Sequence, residues 1–201
     1  MREANALSPV GDLWIVGHGD PEVDRATMRR TPKASYAWYA EQVTRSAGAS
    51  SFAGDFMVAT LSTDHHRFDV AVVDVSGKGE QAGTRSLLLS GAFGGLLGAL
   101  QPPQFLPSAN DYLLRQDWSE GFATAVHLSL DLLSGHYTVR SAGHPPAALL
   151  SAGTGRWSVL EAPGPILGLI PDATYGCVTG VMRPGDANEV TEAYRAIMPL
   201  K

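Results

Sequence analysis

Only one of the 201 residues, Cys177, is a cysteine. A lone thiol can neither close an internal disulfide nor build a thiolate zinc site, so the cysteine pattern asks for no oxidising compartment, and a reducing, cytoplasmic interior is the simpler expectation. Positive charge is also scarce: 15 Lys+Arg against 20 Asp+Glu give a formal net charge of -5 and a pI near 5.6. That balance argues against broad attraction to phosphate backbones, and nucleic acid is not an expected partner. Long apolar runs are missing too. The longest, Leu87 to Leu100, covers about 14 residues and is rich in glycine, short of the ~20 that a bilayer crossing requires, so it reads as a buried helix. Met1 to Val10 holds an Arg and a Glu before a proline and lacks the apolar core of a signal peptide.

Several catalytic patterns are absent as well. Ser76-Gly77-Lys78-Gly79 looks like part of a phosphate loop, but the required earlier glycine is Val72 and the required Ser or Thr after the lysine is Gly79. There is no G-x-S-x-G elbow, and the six histidines never take the H-E-x-x-H spacing of a helical zinc site. His65-His66 reads as a solvated turn. Trp14, Trp38, Trp118 and Trp157 are scattered and make no stacking platform.

What is present is an ordered alternation of β and helical patterns. Residues 1–33, with their glycines, prolines and charged run, read as an extension or linker, and residues 34–201 as one domain. Tyr36 to Val43, Phe56 to Leu61 and Phe68 to Val75 read as strands, the last two forming a hairpin around the polar turn Ser62 to Arg67. Gln81 to Leu100 reads as a helix whose glycines permit close approach to a neighbour, ended by Pro102-Pro103. Ser108 to Gln116 suggests a second helix, capped by Ser108 and turning Tyr112, Leu113 and Leu114 to the core. Strands follow at Phe122–Leu130, His136–Ser141, Ala147–Ser151, Trp157–Leu160 and Tyr175–Met182. Strands, two helices, then more strands describe an α+β layered domain rather than βαβ units.

The chemistry concentrates on Asp55 in Ala53-Gly54-Asp55-Phe56 and Asp74 in Asp74-Val75-Ser76-Gly77-Lys78-Gly79. One begins a strand and the other ends the next, so pairing of the two strands puts both carboxylates at one end of the hairpin. Two carboxylates held close require a proton or a cation between them, and hard oxygen ligands without Cys or His favour Mg²⁺ or Mn²⁺. Either Asp judged alone is more readily a turn former or helix cap, and only the pair in its glycine context reverses that reading.

These segments resemble the PPM (PP2C-type) metal-dependent Ser/Thr protein phosphatases, in the bacterial SpoIIE/RsbU branch. The likeness continues through Phe122-Ala123-Thr124-Ala125, Ser141-Ala142-Gly143-His144-Pro145-Pro146, Gly164-Pro165-Ile166-Leu167-Gly168 and Pro184-Gly185-Asp186. It implies a four-layer α-β-β-α sandwich of two mainly antiparallel sheets with a dinuclear Mn²⁺ or Mg²⁺ centre at one end. By the family pattern Asp74 bridges both ions, the Val75 carbonyl ligates one, and Asp55 joins the ligands or orients a bound water. Water activated between the ions then attacks a phosphoserine or phosphothreonine in line, without a phosphoenzyme. Lys78 is a candidate for attracting the phosphate, or an exposed helix-start lysine. His144 reads as a strand-end histidine with structural hydrogen bonds, and Thr124 as packing.

The chain departs from the family after residue 186. There the family continues into an apolar strand ending in Thr-Asp-Gly or Ser-Asp-Gly, whose aspartate is a third metal ligand, with a further aspartate near the C-terminus. Here Ala187-Asn188-Glu189-Val190-Thr191-Glu192-Ala193 follows directly. The expectation is a domain lacking its last strand, truncated or altered after 186, with weak or partial metal occupancy. An unpaired sheet edge would lower stability or support association as a dimer. The resemblance implies hydrolysis of a phosphorylated regulatory protein of the anti-sigma-factor antagonist type. The competing expectation is a catalytically impaired pseudophosphatase that binds such a partner.

Overall fold

Two mainly apolar, β-rich segments on either side of a polar turn make a hairpin. In the computed structural model, β4 (Asp55–Leu61) and β5 (Arg67–Val75) form an antiparallel hairpin with Leu61 opposite Phe68 and Asp55 opposite Asp74. The turn between them is closed by Ser62 N–H donating to Arg67 O at 2.8 Å. The structure describes residues 13–16, 22–24, 29–31, 54–77, 80–116, 118, 121–183 and 186–190. The strand expected over Tyr36–Val43 and the loop Ser46–Ala53 lie outside them.

β5 also pairs with β6 (Ala123–Asp131), β6 with β7 (His136–Ala142), and β7 with β10 (Cys177–Val181), giving a five-stranded antiparallel sheet in the order β10-β7-β6-β5-β4. A second sheet holds β1 (Leu13–Val16), β11 (Ala187–Val190), β8 (Ala147–Ser151) and β9 (Arg156–Leu160), in the order β1-β11-β8-β9. β2 (Glu22–Asp24) and β3 (Arg29–Thr31) form a separate ribbon.

Two cores follow from strand alternation. Val70, Val126, Leu128, Tyr137 and Val139 on one face of the five-stranded sheet pack with Ala147 and Leu160 of the other sheet. The opposite face presents Phe56, Val58, Ala71 and Val73 to the helices α1 (Glu80–Ala99) and α2 (Pro102–Leu114). Phe93 centres this core, with Phe56, Phe105 and Tyr112 rings at 5.9, 6.0 and 6.4 Å. The arrangement is the α+β, two-sheet, helix-flanked class expected from the sequence.

Local details differ from that expectation. Pro102 and Pro103 do not only follow α1; they open α2, where a missing N–H leaves no helical bond unmade. Ser108 therefore lies inside the helix, and the N-terminal turn is closed by Gln101 N–H donating to Gln104 Oε1 at 3.3 Å. Leu113 is buried, but Leu114 faces solvent, because consecutive helical residues cannot share one face. The helix glycines divide: Gly94 and Gly98 sit against Val58 and Thr60 of β4, whereas Gly91 and Gly95 face open space.

The segment after Asp186 departs furthest from the expectation. A strand does follow, β11, paired with β8 on one side and β1 on the other. Ala-Asn-Glu-Val has little β preference of its own, and ladders on both sides supply what propensity does not. The sheet edge expected there is covered. β1, within the segment read as an extension, is part of the same sheet.

Candidate metal and phosphate site

Asp55 and Asp74 meet as the sequence spacing predicts. Val75 N–H donates to Gly54 O at 3.1 Å, so Gly54 and Val75 form a hydrogen-bonded pair. The next pair, Asp55 and Asp74, is then of the non-hydrogen-bonded kind, with Cα atoms about 4.5 Å apart and side chains on the same face. Both are half-buried and continue the face that Met57 and Val72 present to the second sheet.

The surrounding backbone is shaped to hold them. A Cβ on Gly54 would stand 2.7 Å from the Val75 carbonyl oxygen, so no side chain fits there. The Gly54 carbonyl accepts a second hydrogen bond, at 2.7 Å, from the buried hydroxyl of Ser86 on α1. Gly77 adopts φ +116°, a conformation that side chains disfavour, and turns the chain from β5 towards α1. Arg85 lies beside Gly77, with its guanidinium 5.2 Å from the Trp118 ring centroid. Lys78 is outside the described residues.

The row extends across the sheet. Thr124 stands directly opposite Asp74 on β6, and its hydroxyl is hydrogen-bonded to His144 Nδ1 at 2.9 Å. Gly143 N–H donates to Gly164 O at 3.1 Å, and Leu167 exchanges two backbone bonds with Ala123. The segments around residues 55, 74, 124, 144 and 167 therefore converge on one end of the five-stranded sheet. Sequence reasoning missed Ser86 and the Thr124–His144 bond. The phase of β6, with Thr124 on the same side as Val126 and Leu128, was the available signal.

Asp186 belongs elsewhere. Its carboxylate accepts from Ala152 N–H and Arg183 N–H, both at 2.9 Å, and fastens the turn before β11. Met182 beside it bonds Gly135, at the hairpin end remote from Asp74. His65 is exposed, as expected for a solvated turn.

A second polar cluster occupies the helix-facing side. Asp69 accepts from Arg67 Nε at 2.8 Å and from His127 Nε2 at 3.1 Å, and the His127 ring packs 5.0 Å from Phe105. Burial pushes the Asp69 carboxyl up, but bonds from His127, Ser129 and Arg67 outweigh it and hold it below its usual value. Burial pushes His127 down, only partly offset by Asp69, so the imidazole is neutral at pH 7. Asp74 is five residues along β5 from this cluster, on the opposite face.

The donors at Asp55, Asp74 and Val75 are all oxygens, a set that fits a hard divalent cation with water completing the shell. Among the described residues no group of three or more His, Cys, Asp or Glu side chains gathers around a metal position. No described helix is long and apolar enough to cross a membrane.

The family model described as Stage II sporulation protein E (SpoIIE) matches residues 64–187, more than half of the chain. Asp74 lies within that match and Asp55 just ahead of it. No curated protein matches. Among solved structures, the RsbU and RsbW domains of Rv1364c from Mycobacterium tuberculosis are similar with TM-score 0.60 and 26% identity, over 71% of this chain and 40% of that one. The PP2C phosphatase domain of SpoIIE from Bacillus subtilis, with a regulatory fragment, gives TM-score 0.59 and 17% identity over 70% and 40%. The SiaA PP2C domain of Pseudomonas aeruginosa gives 0.55 and 18% over 68% and 53%. These last two speak to the fold alone, and this chain spans 40% of the length of the first two. A match over most of the segment from β5 to β11, on a two-sheet framework shared with PP2C phosphatase domains, makes this chain a member of the SpoIIE (PP2C-type) family.

Proposed function

We propose that the chain is a metal-dependent protein phosphatase domain that hydrolyses phosphoserine or phosphothreonine on a regulatory protein of the anti-sigma-factor antagonist type. The observation that carries the reading is the in-register apposition of Asp55 and Asp74 at the open end of the five-stranded sheet. Two like charges so placed favour a cation between them. A Mn²⁺ or Mg²⁺ ion held there supplies polarisation of the phosphoryl oxygens and acidifies a water for in-line attack.

The chain's own residues do the rest. Asp74 and Asp55 hold the cation, and the Val75 carbonyl adds a neutral oxygen. Gly54 leaves room for that carbonyl, and Ser86 fixes Gly54 against α1. Gly77 opens the passage after β5, and Lys78 is assigned to attract the phosphoryl group. A structure described as RsbX in complex with magnesium, 20% identical, is consistent with a divalent ion on this framework. The likeness to a structure holding RsbU and RsbW domains supports a regulatory protein as substrate.

A second reading, a binding module without turnover, is favoured by the absence of a third acidic or histidine ligand among the described residues. Phosphate release from a phosphoserine peptide, and p-nitrophenyl phosphate hydrolysis, at millimolar Mn²⁺ decide between them. Turnover that disappears in Asp74→Asn supports the phosphatase. No turnover in the unaltered chain, with a phosphoprotein partner still bound, supports the module.

A further inference from the structure

The polar row at the mouth of the sheet does not stop at its carboxylates. Ser76 N–H donates to Phe122 O at 3.0 Å, so Asp74 and Thr124, two residues further along each strand, form a hydrogen-bonded pair on one face. Their Cα atoms are then about 5.5 Å apart, a gap that the two side chains can span by a rotation of the carboxylate, although in this structure the Thr124 hydroxyl is bonded to His144 and not to Asp74. On the far side, Thr124 Oγ1 is 2.9 Å from His144 Nδ1. His144 is buried, and its carbonyl accepts from Ser141 Oγ at 3.1 Å, so the ring is fixed on its own backbone before Pro145 and Pro146.

Direction follows from donor and acceptor chemistry. An ionised carboxylate only accepts, so Thr124 engages Asp74 only by donating its hydroxyl proton. Its oxygen is then free to accept from His144, which requires the proton on Nδ1. We propose that Thr124 is a positioning residue, held by His144 Nδ1–H, whose hydroxyl orients the Asp74 carboxylate towards the divalent cation. Outer partners of this kind fix the angle at which a ligand meets its ion and keep its second oxygen from competing. The inference rests on the metal-dependent reading of the site. The bland alternative is a bond that merely ties the turn at residues 143–146 to β6.

The test uses the full chain with Thr124→Val, which keeps the shape, and Thr124→Ser, which keeps the hydroxyl. Mn²⁺ affinity is read by calorimetry, turnover on a phosphoserine peptide, and melting in EDTA. Thr124→Val should weaken Mn²⁺ binding or kcat by about 10–100-fold, beyond a modest fall in melting temperature as the buried His144 Nδ1–H loses its acceptor, and Thr124→Ser should restore most of both losses. Nitrogen NMR of the metal-free protein should show His144 as the Nδ1–H tautomer. Unchanged Mn²⁺ affinity and kcat in Thr124→Val, or an Nε2–H tautomer, overturns the inference while leaving the phosphatase standing. If the unaltered chain binds Mn²⁺ without turnover, the phosphatase reading fails and the affinity series still decides this one. If it binds no Mn²⁺, both fall.

Discussion

Replacing Asp74 by Asn should raise the melting temperature without metal and lower it with metal, relative to the unaltered chain. Unit charges about 5 Å apart repel by about 3 kcal/mol at an effective dielectric of ~20, and by under 1 kcal/mol in bulk water. Asp55 and Asp74 are half-buried and open to solvent, so screening leaves about 1 kcal/mol to be recovered when one charge is removed. For a chain of this size that is a rise of about 2–4 °C in EDTA. Mn²⁺ at a hundredfold over its dissociation constant should instead stabilise the unaltered chain by about 2.7 kcal/mol, or roughly 5–10 °C, and leave the variant unmoved. Differential scanning calorimetry in EDTA and in Mn²⁺ reads both. The crossing of the two orders is the diagnostic. A variant melting below the unaltered chain in EDTA would show that the acids do not oppose each other, and an undiminished Mn²⁺ shift would place the ion elsewhere.

Two further outcomes concern pH and the glycines. His127 titrates at a lower pH folded than unfolded, so the unfolded chain takes up a proton first as pH falls below about 6.5, and stability declines from there by up to about 1.4 kcal/mol per unit. Asp69 adds a second loss below its unfolded value of 3.8, because its folded pKa is depressed. Urea titrations between pH 7 and 5 should show the first slope, flattened in His127→Gln. The glycines should divide by environment: Gly91→Ala on the open side of α1 should stabilise by about 0.5–1 kcal/mol, whereas Gly54→Ala, facing the Val75 oxygen at 2.7 Å, should destabilise and weaken Mn²⁺ binding. Chemical denaturation measures both, and equal effects of the two substitutions would contradict the packing described.

The hairpin carrying both acids was legible because alternation and turn chemistry agree locally: Phe56 to Leu61, a polar turn, then Phe68 to Val75. α1 was legible from its length and apolar content. The start of α2 was misread because Pro-Pro terminates one helix as readily as it opens another, and the register that decides is tertiary. β11 was invisible because Ala187 to Val190 owes its conformation to neighbours on both sides. Thr124 and His144 were each given a structural reading, since their contact depends on where β6 meets a turn twenty residues later. The apposition of Asp55 and Asp74 was legible because their spacing is set by one short connection.

That short connection has a consequence for how the protein matures. The turn at Ser62 to His66 closes a small loop, so the strand pair bearing the two acids is favoured kinetically over the distant pairings that join β1 to β11. The acids are neighbours as soon as that ribbon zips, before the outer sheet is complete. Damage far along the chain should then reduce the yield of folded molecules more than it deforms the acidic pair in those that succeed.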